Sequence, residues 1–426
     1  MGQRATGRVG NGVGFARLIL IGSGVLALVA GCGGPEANAA VHEPAPAPTS
    51  AQHRPAPAPA DAHVPPIPPQ PSTRQPNPPP PRSFTVVASG DVLLHTGLWT
   101  QAQRDAAAHG KKGYDFSPMF ASVKPVVSAA DLAICHQETP YGAPNGPFSS
   151  YPIFNVPPQV AKTLADVGYD SCSTASNHSI DKGYTGVKRT LDTLDAAGIK
   201  HAGTARSAAE SATPDLIRVG DVTVAQLSYA FGFNGLHRPK GMPWVANLID
   251  VDTILRDAHR AREAGADVVI VSLHFGTEYQ HAPNSYQLTV VHKLIKSRDI
   301  DLILGHHAHV VQPLEKIGDK WVVYGMGNEV SNQTQSPDTS DGIMPRFTFT
   351  EVSPGVFKVT KAEVIPLHMW LGPTKRLYDI PAAMANPKTS RTIKNSCLAS
   401  LKRIKSVIGQ RGAFADGLVL VGANLL

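Results

Sequence analysis

The sequence predicts an α/β domain built on two mixed sheets, because apolar strand-like runs and amphipathic helices alternate from residue 84 onward. Buried strands are predicted at residues 84–92, 131–138, 169–177, 267–276, 301–309 and 321–328. Helical periodicity separates them at residues 117–130, 159–168, 184–198, 251–265 and 286–297. This alternation favours parallel pairing, whereas residues 215–231 and 346–367 each hold a tight turn between two strands and predict antiparallel hairpins.

Residues 1–31 have the pattern of an export signal. Arg4, Arg8 and Arg17 precede the apolar run LILIGSGVLALVAG, which is too short to span a membrane. The run ends in LVAGC, which resembles a bacterial lipobox and implies that Cys32 is the acylated first residue of the mature protein. An ordinary cleavage site beside a cysteine is the alternative. We therefore expect an exported lipoprotein of the cell envelope, anchored at the outer face of the cytoplasmic membrane.

Residues 32–82 predict a disordered tether. This segment holds nearly half of the 37 prolines and almost no large apolar side chains, so nothing in it offsets the entropy cost of ordering the backbone. Its proline content favours polyproline II, which extends about 3 Å per residue. The folded domain is then expected at residues 83–385, and residues 386–426 predict a C-terminal helix followed by a tail.

The net charge excludes a strongly basic nucleic-acid-binding surface. The formal value is +6, and the three signal-peptide arginines supply three of those charges, which leaves about +3 for the mature protein.

The cysteines are too few for a disulfide scaffold. Besides Cys32 there are Cys135, Cys172 and Cys397. Cys135 and Cys172 each lie near the end of an apolar run, so neighbouring parallel strands would let them bridge in an oxidising compartment. Two buried thiols that act as small apolar side chains are the alternative.

Polar side chains with metal-binding atoms follow strand after strand. They occur in SGDVLLH, CHQETP, SNHSIDKG, LHFGTEY, GHHAHVVQPLE and GMGNEV. One such residue means little, since a single aspartate after a strand is often a helix N-cap. Carboxylates, an amide and imidazoles at five strand ends point instead to one site at the edge of the sheets. Mixed nitrogen and oxygen ligands suit Mn, Fe or Zn, and a pair of ions requires a bridging carboxylate.

These motifs resemble a known family. SGDVLLH, SNHSIDKG, LHFGTEY, GHHAHVVQPLE and YGMGNEV are similar, in order and spacing, to the motifs of the CapA family of capsule or poly-γ-glutamate biosynthesis proteins. The resemblance covers roughly residues 84–370. It implies a fold related to the calcineurin-like metallophosphoesterases, which is a four-layer α/β/β/α sandwich with a dinuclear metal centre.

The resemblance also implies roles for individual residues. Glu138 is the best candidate to bridge two divalent transition-metal ions, and the remaining predicted metal ligands are Asp91, Asn177, His274, His307 and His309. His178 is implied as a general acid or oxyanion stabiliser, and Asp181 as the partner that orients it.

The chain departs from the family pattern at four places. Phosphoesterases begin with D-x-H, but no histidine stands two residues after Asp91. The usual N-x-E is HQE at His136 to Glu138, and the usual G-N-F ends in Glu329. His306 replaces a common glycine, and its role is open.

Three functions of different classes fit these observations. The first is a metal-dependent hydrolase or transferase that acts on an anionic envelope polymer, for which the resemblance implies poly-γ-glutamate. The second is a metal-dependent phosphoesterase. The third is a non-catalytic subunit that binds the polymer within a membrane capsule-assembly complex. The expected partners are the polymer, the membrane through the lipid anchor, and membrane proteins of capsule synthesis; no nucleic acid is expected.

Overall fold

The computed structural model describes residues 81–426, so the predicted signal peptide, Cys32 and nearly all of the predicted tether lie outside the described residues. In this part of the chain the strands are β1 (Ser83–Val92), β2 (Leu132–Gln137), β3 (Ser171–Ser173), β4 (Lys200–Ala202), β5 (Asp215–Val219), β6 (Val222–Ala230), β7 (Val268–His274), β8 (Leu302–His306), β9 (Leu314–Ile317), β10 (Lys320–Val323), β11 (Asn328–Val330), β12 (Asp341–Ser353), β13 (Val356–Trp370), β14 (Arg376–Asp379) and β15 (Leu418–Leu420).

The helices of the same residues lie mostly between parallel strands. They are α1 (Thr96–Ala108), α2 (Ser117–Phe120), α3 (Lys124–Val127), α4 (Gln159–Val167), α5 (Gly183–Ala196), α6 (Ala208–Ala212), α7 (Val251–Glu263), α8 (Ser285–Leu294), α9 (Ile380–Ala385) and α10 (Arg391–Ile408). None of the helices within residues 81–426 combines the length and apolar character needed to cross a membrane.

The strands form two mixed sheets, as the sequence predicts. The first has the order β14-β13-β12-β1-β2-β3-β4, with β11 paired to β1 and β15 paired to β13. Its β1 to β4 are parallel, whereas β12 runs antiparallel to β1. The second sheet has the order β5-β6-β7-β8-β10-β9, in which β6, β7, β8 and β10 are parallel and the edge strands are antiparallel.

The two sheets pack face to face, and helices cover their outer faces. Alternate residues of β1 show this clearly: Phe84 and Val86 enter the core between the sheets, where they join Leu302 and Leu304 of β8. Val87 points the other way into a core shared with helices α1 to α5. A third core lies between the second sheet and helices α7 and α8. The predicted four-layer α/β/β/α sandwich is therefore confirmed.

The predicted strand at residues 321–328 is wrong in its second half. Strand β10 ends at Val323, and the chain then crosses from the second sheet to the first, where β11 pairs with the end of β1. Gly327 has a φ of +69°, which only glycine adopts easily, and its carbonyl oxygen accepts a hydrogen bond from Asp91 N at 3.0 Å. The crossing therefore places Asn328 beside Asp91.

Both predicted hairpins are present, as β5–β6 and β12–β13. Beyond residue 385, helix α10 buries one face against the core between the sheets, and β15 adds to the first sheet beside β13.

Cys135 and Cys172 are register partners on the neighbouring parallel strands β2 and β3. Their Cα atoms are 4.4 Å apart and the two side chains form a disulfide. Cys397 is a buried free thiol on α10. Of the two alternatives for this pair of cysteines, the structure thus has the bridged one.

Candidate metal centre

The candidate residues meet where the carboxyl ends of strands from both sheets face each other. Asp91 of β1 is the register partner of His136 on β2, and His274 of β7 is the register partner of His306 on β8. All four side chains are buried. The sandwich therefore brings two pairs of ionisable side chains together across its core, although the pairs lie far apart in the sequence.

Glu138 follows β2 and is completely buried, yet neither of its carboxylate oxygens has a hydrogen-bond partner among the described residues. Its oxygens lie within 4.8 Å of ligand atoms of Asp91 and His309. His309 Nδ1 is 3.0 Å from Asp91 Oδ2, and His309 Nε2 is 3.9 Å from Glu138 Oε1. Because an unpaired buried carboxylate is costly, this donor set fits a divalent cation.

The pKa values of Asp91, Glu138 and His309 also indicate that the two buried carboxylates require a positive charge beside them. Burial raises the pKa of Glu138 well above its ordinary value. Burial acts against the charged form of Asp91 as well, but the nearby imidazoles of His306 and His309 outweigh it and hold the pKa of Asp91 well below the usual range. Burial also opposes the charge on His309, but Glu138 and Asp91 outweigh it and raise the pKa of His309 to about 9. A proton on His309 thus supplies positive charge that a metal ion would supply instead.

Asn177 and His274 are joined by a hydrogen bond, since Asn177 Oδ1 is 2.9 Å from His274 Nε2. The amide nitrogen of Asn177, Nδ2, donates a hydrogen bond to Asn234 Oδ1 at 3.2 Å. Asn234 therefore fixes which way the Asn177 amide points, with its oxygen toward His274. Asn234 has a φ of +50° in the loop after β6. The sequence analysis missed this residue, and its one local signal is the Asn-Gly pair that favours such a backbone.

His178 and Asp181 form a buried pair. The imidazole Nδ1 donates to Asp181 Oδ2 at 2.8 Å, and the same oxygen accepts the Phe154 backbone N–H at 2.7 Å. The Phe154 ring packs edge-on against the imidazole with the ring centroids 4.7 Å apart. Asn234 Nδ2 lies 3.4 Å from Nε2 at the other end of the ring. The contacts fit a histidine that is held by a carboxylate on one side and transfers a proton on the other.

His307 and His309 are buried and have a constrained backbone conformation. Their φ values are +89° and +55°, which cost roughly 1–3 kcal/mol each for residues other than glycine. Both imidazoles lie within 4.8 Å of the carboxylate of Glu278, which is exposed. Burial lowers the pKa of His307 to about 3, so its ring is neutral and free to act as a ligand.

The structure adds two histidines that the sequence analysis did not assign. His136 Nε2 is 2.9 Å from His274 Nδ1, and its ring lies parallel to that of His306 at a centroid distance of 3.9 Å. Asp91, His136 and His274 form a further group with ligand atoms within 4.8 Å of one another. The motifs HQE and GHHAH contain both residues, but cross-strand register, which the sequence does not specify, decides that they meet.

A family model of bacterial capsule synthesis proteins, PGA_cap, matches residues 85–333, more than half of the chain. The chain belongs to this family. The match includes the three strand ends that supply Asp91, Glu138 and His309, and the resemblance to the CapA family seen in the motifs is confirmed.

Curated relatives carry names from the same area of biology. The chain is 26% identical to the PGA biosynthesis protein CapA of Bacillus subtilis, over 60% of this chain and 66% of that protein. It is 24% identical to the capsule biosynthesis protein CapA of Bacillus anthracis, over 51% of this chain and 52% of that protein. A probable polyglutamine synthesis accessory protein of Mycobacterium tuberculosis is 27% identical over 48% of this chain and 57% of that protein. The chain thus spans between about half and two thirds of the length of these relatives.

Solved structures similar to this chain include two from bacteria. A calcineurin-like phosphoesterase of Bacillus subtilis has 15% identity and a TM-score of 0.41, over 77% of this chain and 99% of that one. A phosphatase of Mycoplasma pneumoniae has 13% identity and a TM-score of 0.41, over 68% of this chain and 94% of that one.

Proposed function

We propose that this chain is an extracytoplasmic envelope protein of capsule or poly-γ-glutamate biosynthesis or anchoring, and that it is a metal-dependent hydrolase or transferase acting on the anionic polymer. Membership of the capsule synthesis family supports a role in capsule or poly-γ-glutamate biosynthesis. The observation that carries the chemistry is the buried triad of Asp91, Glu138 and His309, in which both Glu138 oxygens and Asp91 Oδ1 lack hydrogen-bond partners among the described residues.

The triad would hold one divalent transition-metal ion, Mn, Zn or Fe. His274 and His307 belong to two further groups of candidate ligands beside the triad, and Asn177 is hydrogen-bonded to His274. All three are proposed to contribute to a centre with two ions. A divalent cation held there would polarise the oxygen of the amide carbonyl or phosphoryl group as a Lewis acid and so make its carbon or phosphorus easier to attack. The protein's own contribution is to hold the ion and this oxygen among buried side chains, where electrostatic interactions are stronger than in bulk water.

We propose that His178, when its ring carries a proton on each nitrogen, donates the Nε2 proton to the leaving group. Asp181 Oδ2 accepts a hydrogen bond from His178 Nδ1 at 2.8 Å and so directs Nε2 toward the site. Asp181 is itself fixed, because its Oδ2 also accepts the Phe154 N–H. The pair is thus held in place by the loop before helix α4 rather than by the metal ligands.

The proposed location outside the cytoplasm has two supports. The Cys135–Cys172 disulfide is a feature of proteins in oxidising compartments. The predicted signal peptide, lipobox at Cys32 and proline-rich tether suit a domain held off a membrane surface.

The test compares the full-length chain with Glu138→Gln after both have been loaded with Mn²⁺ or Zn²⁺. Poly-γ-glutamate and aryl phosphate esters are supplied as separate substrates, and mass spectrometry follows polymer length, transfer products and free phosphate. Glu263→Gln, an exposed glutamate on α7, is the control. Polymer cleavage or transfer that is lost only in Glu138→Gln supports the proposal. Phosphate release from the esters alone would replace it with a phosphoesterase. Unchanged polymer, bound equally by all three proteins, would replace it with a non-catalytic binding subunit.

A further inference from the structure

We infer that the second metal ion of this protein lies in an inner pocket between the two sheets, held by Asp91 Oδ1, His136 Nε2 and His274 Nδ1 and closed by His306. This inference rests on the proposed metal dependence. It makes Asp91, rather than Glu138, the carboxylate that links the two ions.

The three proposed ligand atoms lie as close together as atoms that bind one ion. His136 Nε2 is 2.9 Å from His274 Nδ1 and 4.0 Å from Asp91 Oδ1, and all three ligand atoms lie within 4.8 Å of one another. Ligand atoms that share one ion, with bonds of about 2.1 Å, lie roughly 3–4 Å apart. The three side chains come from both sheets and are at most 1% exposed, so the pocket is enclosed by the sandwich itself.

The far nitrogens of the two rings are already held by protein oxygens. His136 Nδ1 lies 2.7 Å from Ser173 Oγ, and His274 Nε2 lies 2.9 Å from Asn177 Oδ1. The amide oxygen can only accept, so His274 Nε2 carries the proton and its Nδ1 presents a lone pair to the pocket. This is the arrangement that orients metal-binding histidines, in which one nitrogen binds the ion and the other donates to an oxygen.

Two neighbouring side chains at this place have buried polar atoms without hydrogen-bond partners among the described residues. Asp91 Oδ1 has no hydrogen-bond partner among the described residues, and neither nitrogen of His306 has one, although His306 is only 2% exposed. His306 Nδ1 is 3.6 Å from Asp91 Oδ1. Buried polar atoms are normally satisfied, so Asp91 Oδ1 and His306 Nδ1 indicate a group that binds between them. A cation accounts for Asp91 Oδ1 and His306 Nδ1, since each of these can offer it a lone pair, and the ring proton of a neutral His306 is then on Nε2.

Asp91 connects the two candidate ion positions. Its Oδ1 faces His136 and His306, whereas its Oδ2 faces His309 in the triad with Glu138. A single carboxylate can therefore serve both ions with different oxygens. His136 and His306 are two of the places where the chain departs from the family motifs, and a third departure is the missing histidine two residues after Asp91. Imidazoles from β2 and from β8 of the facing sheet thus lie near the Asp91 carboxylate, which has no histidine two residues after it.

The experiment measures metal content and the Mn²⁺ electron paramagnetic resonance spectrum of the full-length chain and of His136→Asn, Asn177→Ala and Glu138→Gln. His368→Asn is the control, because His368 is also buried and its Nδ1 also lies 2.8 Å from a serine oxygen, that of Ser400. For the wild type and His368→Asn we expect two equivalents of Mn²⁺ per chain and an exchange-coupled spectrum. One equivalent with an uncoupled spectrum is expected for His136→Asn.

The other outcomes separate the inference from the proposed function. Two coupled equivalents in His136→Asn, with one lost in Asn177→Ala, would place the second ion elsewhere and overturn the inference alone. Two equivalents of metal in Glu138→Gln, together with loss of metal in His136→Asn, would overturn the proposed triad of Asp91, Glu138 and His309. No metal in the wild type would overturn both. If His136→Asn does not fold, Ser173→Ala keeps every ligand and should weaken the second ion about 10–100-fold, and an unchanged affinity would count against the inner pocket.

Discussion

Gly90 of β1 lies so close to Gly327 that a Cβ atom on Gly90 would be 2.0 Å from the Gly327 carbonyl oxygen. This oxygen accepts the hydrogen bond from Asp91 N. The contact is therefore what seats β11 against the end of β1 and brings Asn328 beside Asp91. Glycine at position 90 is required by the approach of one backbone to another, immediately before a candidate ligand.

We expect Gly90→Ala to destabilise the protein by about 3 kcal/mol or more, because a backbone oxygen fixed between two strands cannot move aside and overpacking of this kind exceeds the usual 1–3 kcal/mol. Urea unfolding followed by circular dichroism measures the change. Gly232→Ala is the matched control, since a Cβ there meets nothing within 4 Å. A Gly90→Ala protein of wild-type stability would show that β11 does not sit against β1 as described.

The His178–Asp181 pair leads to a prediction about catalysis without loss of metal. Neither side chain belongs to the groups of candidate ligands that lie within 4.8 Å of one another. Asp181→Asn keeps the shape of the side chain but removes the charge that orients the His178 ring. We expect kcat on the substrate identified for the wild type to fall about 10²–10⁴-fold, as for loss of a general acid, while metal content stays the same. Asp166→Asn, at an exposed position on α4, should change neither quantity. Loss of metal in Asp181→Asn would instead assign the pair to the metal centre.

Most of the strands and several candidate ligands could be predicted from the sequence, for a physical reason. Parallel strands buried on both faces read as continuous apolar runs, and the polar residue that ends each run marks the edge of the sheet. The crossing after Val323 could not be predicted in the same way, because the run from Trp321 to Gly327 has no charged side chain while the backbone changes sheets.

Part of the site depends on relations that one sequence does not contain. His136 and His306 are adjacent only because Asp91 pairs with His136 and His274 pairs with His306 across strands. Asn234 reaches the site from a loop, and the motif around it describes a turn rather than a ligand. Register and loop path are set by packing of the whole sandwich, so these residues could not be placed in advance.

Reduction of the Cys135–Cys172 disulfide should lower the stability. The bond closes a loop with a sequence separation of 37, so its loss is expected to cost about 2–4 kcal/mol of unfolding free energy. Urea unfolding with and without reductant measures the difference, and peptide mapping without reduction should recover the two cysteines linked. Cys397→Ala, which removes a thiol outside this bond, should leave the effect of reductant unchanged. Equal stability in both conditions would mean that the two thiols are not bridged in solution.

Glu329 predicts a pH dependence of folding. Its carboxyl is completely buried beside the metal centre, where it accepts hydrogen bonds from Tyr169 at 2.5 Å and Ser89 at 2.8 Å. Burial raises the pKa of Glu329 from 4.5 to about 7, against the opposing effect of these two bonds. Between these values the folded state holds a proton that the unfolded state has released. The contribution of this residue to stability is therefore fully present below pH 4.5 and is lost as the pH rises through about 7.

Glu329→Gln removes this titration and keeps two polar atoms for Tyr169 and Ser89. We expect the variant to be more stable than the wild type by up to about 3 kcal/mol at pH 8, because 1.4 kcal/mol is lost per pH unit over the interval. At pH 4.5 the two proteins should have nearly the same free energy of unfolding, since both then carry a neutral side chain. Urea unfolding at the two pH values measures the difference, and subtracting the wild type cancels all other titrations. Glu263→Gln, at an exposed site, should differ from the wild type by the same small free energy of unfolding at pH 4.5 and at pH 8. A Glu329→Gln effect that does not grow with pH would show that the carboxyl is ionised in the folded protein throughout this range.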